Sequence, residues 1–379
     1  MFKSARLLLA LPALAVLASP PAVAADKIEL RYATSQPSIN STFRRSVLPF
    51  VERVAKDTGG TVTIQTFPGN QLANAKTSIS SLRDGTADAG FVIPIFVPSE
   101  IKTLNALMQT LFAGANAVAI TGATAETVML NCPDCRAELA AAGAMPMAPV
   151  ATSAYYMSCT TDVPNSASLK GRKMRIVGGA QKELLADLGA TRVVVPPPEV
   201  MEAMNRGQID CAVSPLPWLT QFSLQESAKV IITHPLGYAR GNDMFTMSKA
   251  AWSKLSPEQR QAIFKNLPRL VADSVIAGYL FEQSEAEAAA ERKGIKFLKP
   301  DPEFVKVVAG IRAREKDIVV SDAKKRGVEG VDELWDSHVK TLAKWDKLSQ
   351  EIGSDPAKMA EVLWEQVYSK LDPQTVAPK

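Results

Sequence analysis

From Leu169 to Pro215 the chain makes two helix–strand steps in succession, and that alternation points to an open α/β sheet. Lys173 to Val177 reads as a short strand, followed by a helix that ends at Leu188-Gly189-Ala190. A second helix runs through Glu199-Val200-Met201-Glu202-Ala203-Met204-Asn205-Arg206, stops at Gly207 and feeds a strand from Ile209 to Val213. Arg175 falls near the end of the first strand, where such sheets present side chains to a crevice. An earlier stretch, Leu82-Arg83-Asp84-Gly85-Thr86-Ala87-Asp88-Ala89-Gly90-Phe91-Val92, has the same layout as Met204 to Val213. Each has a helix end, a glycine cap, a short polar link with an aspartate and a buried strand. We therefore expect two open α/β sheets, each with a strand end at a crevice.

The flanking segments fit that frame. Ile28 to Thr34 alternates like a strand, Ser41 to Lys56 carries apolar residues at helical spacing, and Gly59-Gly60 stops that helix. Thr61 to Phe67 is β-branched and strand-like, and Pro68-Gly69-Asn70-Gln71-Leu72 is a turn. Ser256 is a good N-cap, Pro257 suits the first helical position, and Gln259 completes a capping box. The helical pattern then runs to Lys293, with Gly294 as terminator; at 1.5 Å per residue it reaches roughly 55 Å, longer than one lobe. Pro268 inside it predicts a kink or break near Leu267. Pro302 to Leu371 reads as charged amphipathic helix punctuated at Gly327, Gly330 and Gly353. Such a tail is either a packed helical edge or a dimerisation or docking surface.

With 379 residues, 46% hydrophobic and 22% charged, the chain has room for two ordinary cores and is not a disordered composition. Lys3 and Arg6, the short apolar run Leu7–Ala18 and Ala22-Val23-Ala24 read as a signal peptide over residues 1–24, cleaved near Ala24. The net charge of +4 falls to about +2 without those two basic residues, which leaves no nucleic-acid footprint. His234 and His338 stand far apart in sequence, and no nucleophile elbow, phosphate loop, HExxH helix or calcium loop is present. We expect no enzyme, no cofactor and no metal.

Four cysteines in an exported chain favour disulfides. Among the three connectivities they allow, we expect Cys132–Cys135 and Cys159–Cys211. A zinc site at Cys132 and Cys135 would need two further ligands where histidine is scarce. A redox motif would belong at the first βα turn of a compact domain.

The run Leu169-Lys170-Gly171-Arg172-Lys173-Met174-Arg175-Ile176, with the Gly207–Asp210 link, resembles the signature of the extracytoplasmic solute receptors of TRAP transporters, the DctP family. Phe67 to Leu72 is similar to that family's F-P-G-G-Q-L element, with Asn70 in place of the second glycine; Asn also tolerates the left-handed conformation. The resemblance covers about Ile28 to Phe297. It implies an α/β, two-lobed periplasmic-binding-protein (clamshell) fold, with a long helix crossing both lobes and a helical C-terminal extension. The chain would cross between lobes near Thr152, near Tyr238 and within the long helix. Lobe I would comprise 25–152 plus 240–280, and lobe II 153–239 plus 281–379 with the C-terminal helices.

The resemblance also places a site. The arginine of the family's K-x-R strand clamps the ligand carboxylate, and Arg175 matches it; its planar fork suits a carboxylate bidentately. Ser214-Pro215 stands where many members have Asn-Pro, Ser214 being a shorter group with one donor. Cys211 replaces the glycine that usually follows Asp210. Trp218 would wall the cleft one turn on. Ile93 falls where sugar-acid binders carry a carboxylate and Tyr155 where they carry a second arginine, with Phe91 and Tyr156 nearby; Ser35 and Gln36 would sit at the opposite lip. Fewer charges in the cleft predict a monocarboxylate with an apolar or aromatic body over a sialic or uronic acid. The implied function is a periplasmic solute-binding receptor that delivers an organic acid to TRAP membrane permease subunits, as monomer or homodimer, with uptake driven by an ion gradient. The alternatives are a clamshell receptor for another permease or a signalling partner, and, more remotely, a hinge-cleft enzyme.

Overall fold

The computed structural model describes residues 26–376. The signal-peptide expectation over 1–24 lies outside the described residues. Among the described residues twelve strands appear in chain order: β1 (Ile28–Ala33), β2 (Val62–Phe67), β3 (Ala89–Val92), β4 (Ala144–Met145), β5 (Pro149–Ala151), β6 (Tyr155–Cys159), β7 (Lys173–Arg175), β8 (Thr191–Val193), β9 (Cys211–Pro215), β10 (Val230–Ile232), β11 (Arg240–Ser248) and β12 (Lys296–Leu298). They form two six-stranded sheets. The first runs β2-β1-β3-β11-β4, with β5 also on β11; the second runs β12-β10-β6-β9-β7-β8. Residues 152–154 and 233–239 therefore link one sheet to the other, and the segment between β11 and β12 links them a third time.

The repeated layout has a physical cause. Gly85 and Gly207 end their helices at φ 73° and 64°, a conformation in which glycine pays no Cβ penalty. In the first sheet, the Asp88 carboxylate accepts the backbone N–H of Arg31 at 2.9 Å, and the Arg31 side chain donates to the Gly85 carbonyl at 2.7 Å. In the second, the Asp210 carboxylate accepts the backbone N–H of Lys173 at 2.7 Å, and the Lys173 ammonium donates to the Gly207 carbonyl. The same three-part lock thus joins each helix end to the neighbouring parallel strand. It sets the register that carries Ser35 and Gln36 beyond β1, and Arg175 at the end of β7, to the crevice.

The long helix forms as its capping box predicts. Ser256 Oγ accepts the Gln259 N–H at 3.2 Å, and Gln259 Oε1 accepts the Ser256 N–H at 2.9 Å. The helix does not break near Leu267: Pro257–Val275 is continuous α-helix through Pro268. Phe264, Leu267, Pro268 and Val271 are all buried there, so packing on the core holds the turn that lost one hydrogen bond. The irregularity lies further on, in a wide π-turn at Ile276–Leu280, before the helix resumes at Phe281–Arg292. Its first part packs on the helix Leu48–Asp57 beside the first sheet, and its last part on Trp218–Gln221 beside the second.

The C-terminal extension does not stay with the second lobe. Pro302–Ala313 packs on the helix Ala180–Asp187, but Val331–Ile352 docks on Ala117–Glu126 and Pro356–Gln366 on Pro257–Val275. Trp345 explains the docking: it is fully buried, its indole N–H donates to Glu126 at 2.7 Å, and its ring fills the space a side chain at Gly122 would need. A Cβ at Gly122 would come within 2.0 Å of that ring. The sequence pattern shows an amphipathic tail but not which surface matches it.

Cys132 is bonded to Cys135, and Cys159 to Cys211. The latter two stand directly opposite on the antiparallel pair β6–β9, with Cα atoms 4.0 Å apart. Asn70 has φ 68°, the left-handed turn conformation expected of it.

Candidate ligand-binding site

A cavity lies between the strand ends of the two sheets. Ser35 and Gln36 after β1, Phe91 of β3, Ile93 just beyond it and Asn242 of β11 form the wall from the first sheet. Tyr155 of β6, Arg175 of β7 and Trp218 after β9 form the wall from the second, and Tyr279 enters from the π-turn of the long helix. Seven of the eight residues expected at the site therefore line one cavity. Ser214 does not. It pairs with Tyr156, whereas cavity-lining Tyr155 pairs with Pro215, and alternate residues on a strand face opposite sides.

Arg175 is the electrostatic centre. It is 4% exposed; Nε donates to the Val195 carbonyl at 3.2 Å and Nη1 to the Val213 carbonyl at 3.0 Å. Its guanidinium carbon stands 4.8 Å from the centroid of Trp218, a cation–π distance. Trp218 is braced edge-on by Phe222 at 5.0 Å and tilted against Tyr155 at 6.3 Å. Burial lowers the guanidinium pKa and the neighbouring Tyr155 hydroxyl opposes that; burial raises the Tyr155 pKa and Arg175 opposes it. Among the described residues no carboxylate comes within salt-bridge distance of Arg175, and the cavity lining contains no Asp or Glu. The cation is held by neutral carbonyls and an aromatic face, with its charge unanswered.

The opposite wall holds polar groups that the sequence pattern did not single out. Asn40, Asn242 and Tyr279 line the cavity, as do Met108, Pro197 and Phe222. The signal for Asn242 was present but faint: an asparagine within the wholly buried strand Arg240–Ser248. Tyr279 sits on a helix, where its outward direction depends on the π-turn and escapes a regular helical count. Across the cavity front, Asn40 donates to Gln221 Oε1 at 3.0 Å, and Gln221 donates to Ser41 Oγ and to the Gly278 carbonyl.

Two stacked α/β lobes joined by three strands of chain, with a buried cation and apolar walls between them, define a clamshell binding protein. Residues 33–308 match the family model described as bacterial extracellular solute-binding protein, family 7 (DctP), and the chain belongs to that family. A solute-binding protein of Albidiferax ferrireducens is 26% identical over 222 residues, an alignment spanning 58% of this chain and 64% of that one. The outer membrane transporter protein TsaT of Comamonas testosteroni is 23% identical over 296 residues, 78% of this chain and 86% of that one. Among solved structures, a TRAP solute-binding protein from an unidentified marine-metagenome microbe, specific for aromatic acid ligands and bound to metahydroxyphenylacetate, superimposes with a TM-score of 0.73. It is 23% identical, over 84% of this chain and 100% of that one. A TRAP solute-binding protein of Rhodoferax ferrireducens with copurified benzoate has TM-score 0.73 and 20% identity, over 85% of this chain and 100% of that one. That of Bordetella bronchiseptica with bound mandelate has TM-score 0.70 and 20% identity, over 84% and 99%. Among the described residues no helix is long and apolar enough to cross a membrane.

Proposed function

We propose that this protein is a periplasmic receptor, exported by a signal peptide cleaved near Ala24, that holds one organic monocarboxylate between its lobes and passes it to a TRAP membrane permease. Arg175 grips the carboxylate. The observation that carries this reading is a buried guanidinium at a cavity with no acidic side chain to neutralise it. A ligand carboxylate supplies the missing charge and accepts two parallel hydrogen bonds from the guanidinium. Phe91, Ile93, Met108, Trp218 and Phe222 give the ligand body an apolar enclosure, stabilising it by roughly 25 cal/mol per Å² buried. A second carboxylate would find no second cation among the lining residues and would stay buried unpaired. The lining also lacks His, Lys and Cys, so we assign the cavity a binding role and no catalysis. Relatives of this fold with bound metahydroxyphenylacetate, benzoate and mandelate support the same ligand class.

Titration calorimetry with aromatic and short-chain monocarboxylates tests the assignment. Each charge-assisted hydrogen bond contributes about 1.5–3 kcal/mol, so Arg175→Ala should weaken binding at least about a hundredfold. Arg175→Lys should be nearly as damaging, because one ammonium does not reproduce the fork. An Ala variant within a few-fold of wild type would end the Arg175 assignment, and a sugar acid or dicarboxylate that outcompetes every monocarboxylate would end the ligand class.

A further inference from the structure

The wall facing Arg175 carries a hydrogen-bonding instruction of its own. Asn40 Oδ1 accepts the backbone N–H groups of Thr42 and Phe43 at 3.0 and 3.3 Å, which identifies that atom as the oxygen of the amide. The Thr42 hydroxyl lies 2.6 Å from the same oxygen and has to spend its single proton there. Only lone pairs of Thr42 Oγ1 then remain for Gln36, 2.7 Å away, so the group Gln36 turns toward Thr42 is its NH2. Its carbonyl oxygen is thereby forced to the other side, where Gln36 Oε1 is buried with no partner among the described residues. Asn242 Oδ1 is also buried and unpaired. Both residues line the cavity. Gln36 follows β1 and Asn242 lies in β11, which flank β3 in the first sheet, whereas Arg175 belongs to the second sheet.

We propose that the ligand carries a hydroxyl on the part of its body remote from the carboxylate, and that Gln36 Oε1, assisted by Asn242, accepts its proton. This rests on the carboxylate reading of Arg175 and adds a second point of recognition at the opposite wall. Buried acceptors without partners are uncommon because they forfeit their hydration, and a donor on the ligand satisfies one without adding charge. An ammonium would also donate, but the lining offers no carboxylate to balance it. A methyl ether or a second carboxylate presents only acceptors and would face oxygen against oxygen. The site therefore selects a hydroxylated monocarboxylate over its unsubstituted parent.

The test is titration calorimetry of ligand-free protein with phenylacetate, its ring-hydroxylated derivatives, their methyl ethers, and hexanoate with its hydroxylated derivatives. At least one hydroxylated acid should bind about tenfold tighter than its parent, and its methyl ether should lose the whole gain. Gln36→Leu, with Gln36→Met as the alternative should the first fail to fold, should bring the ratio of hydroxylated to parent affinity to within about twofold. That ratio is insensitive to a general loosening of the cleft. If parents bind as tightly as every hydroxylated derivative while Arg175→Ala still abolishes binding, the hydroxyl inference falls and the carboxylate reading stands. A preference that survives both Gln36→Leu and Asn242→Leu likewise overturns it. If none of the acids binds, both readings fall together.

Discussion

Among the described residues two arginines are buried, Arg175 and Arg240, and their surroundings differ in kind. Arg175 has two backbone carbonyls, an aromatic face and a cavity. Arg240, fully buried at the start of β11, has charge-bearing and polar groups about its two terminal nitrogens, while its Nε has no partner among the described residues. Its Nη1 donates to His338 Nε2 at 3.0 Å, and Nη2 to the carbonyls of Ala113 at 2.7 Å and Leu111 at 3.4 Å. Because Nε2 of His338 accepts there, Nδ1 carries the proton and donates to Thr127 at 2.9 Å. Glu315, which accepts the N–H groups of Leu111 and Phe112 at 2.5 and 2.7 Å, acts on Arg240 by Coulomb attraction without a direct salt bridge. Burial lowers the Arg240 pKa to about 10, and Glu315 opposes the shift. One arginine completes a structure; the other awaits a charge. What separates a structural from a binding cation is therefore the partner it lacks, and burial alone does not tell them apart.

The sharpest way to break the comparison is to remove Arg240. Arg240→Met leaves the buried Glu315 carboxylate without its cation and His338 without its donor. Losing the hydrogen bonds of a buried cation to His338, Ala113 and Leu111 together with its attraction for Glu315 should cost about 3–5 kcal/mol in all, read as a lower urea midpoint at unchanged slope. Combining it with Glu315→Gln should recover part of the loss, since no charge is then stranded. A single variant within about 1 kcal/mol of wild type would mean the C-terminal helices do not depend on this cluster.

Another buried charge, Asp243, sharpens the same contrast through pH. It accepts N–H groups of Met147, Ala148 and Phe245 and the Thr246 hydroxyl, with no cation paired to it, and burial pushes its pKa from the usual 3.8 up to about 6. Between those values the folded state binds a proton that the unfolded state does not. Its contribution to stability is thus greatest below about pH 4 and falls as pH rises through 6, by about 3 kcal/mol in all. His338 acts with the opposite sign. Burial first, and Arg240 second, hold its pKa well below the usual 6.5, so its contribution is present above that pH and lost as pH falls. The two partly cancel in the wild type, which makes the difference from Asp243→Asn the proper readout. Urea midpoints between pH 4 and 7 should show wild type gaining on the variant as the solution is acidified; parallel curves would refute the buried, unpaired carboxylate.

How much of this could be read from the chain follows the same line. The two α/β lobes were legible because Gly85, Asp88, Gly207 and Asp210 sit in matching local patterns, and short-range patterns dictate short-range locks. Arg175 was legible for the same reason, as a strand-end residue in a distinctive run. Ser214 was misplaced off the cavity because strand facing depends on a register that the sequence does not fix to one residue. Asn242 left only a faint signal in its buried strand, and the Arg240–His338–Glu315 cluster was not legible at all. That cluster joins Arg240 to residues 75 and 98 positions further on, and nothing near Arg240 in sequence announces a histidine on a C-terminal helix. The docking of that helix hangs on the match of Trp345 to the notch at Gly122, a fact of shape and not of pattern.

The smallest expected effect is also the one that decides whether the comparison holds. In ligand-free protein, Arg175→Ala removes a guanidinium whose charge has no counter-ion, so the desolvation it suffered is relieved. Against that stand two lost hydrogen bonds to Val195 and Val213 and the contact with Trp218. The space that the side chain vacates opens on the cavity Arg175 lines, and water entering it satisfies those carbonyls in place of the guanidinium. The two terms nearly offset, and ligand-free stability should stay within about 1 kcal/mol of wild type, measured by urea unfolding on the same protein whose affinity has collapsed. Wild type held at about 100 times the dissociation constant of its ligand should instead gain about 2.7 kcal/mol, and Arg175→Ala should gain almost nothing at the same ligand concentration. A ligand-free loss as large as that of Arg240→Met would make Arg175 a second structural arginine, and its effect on affinity would then report a damaged cleft and not a broken contact.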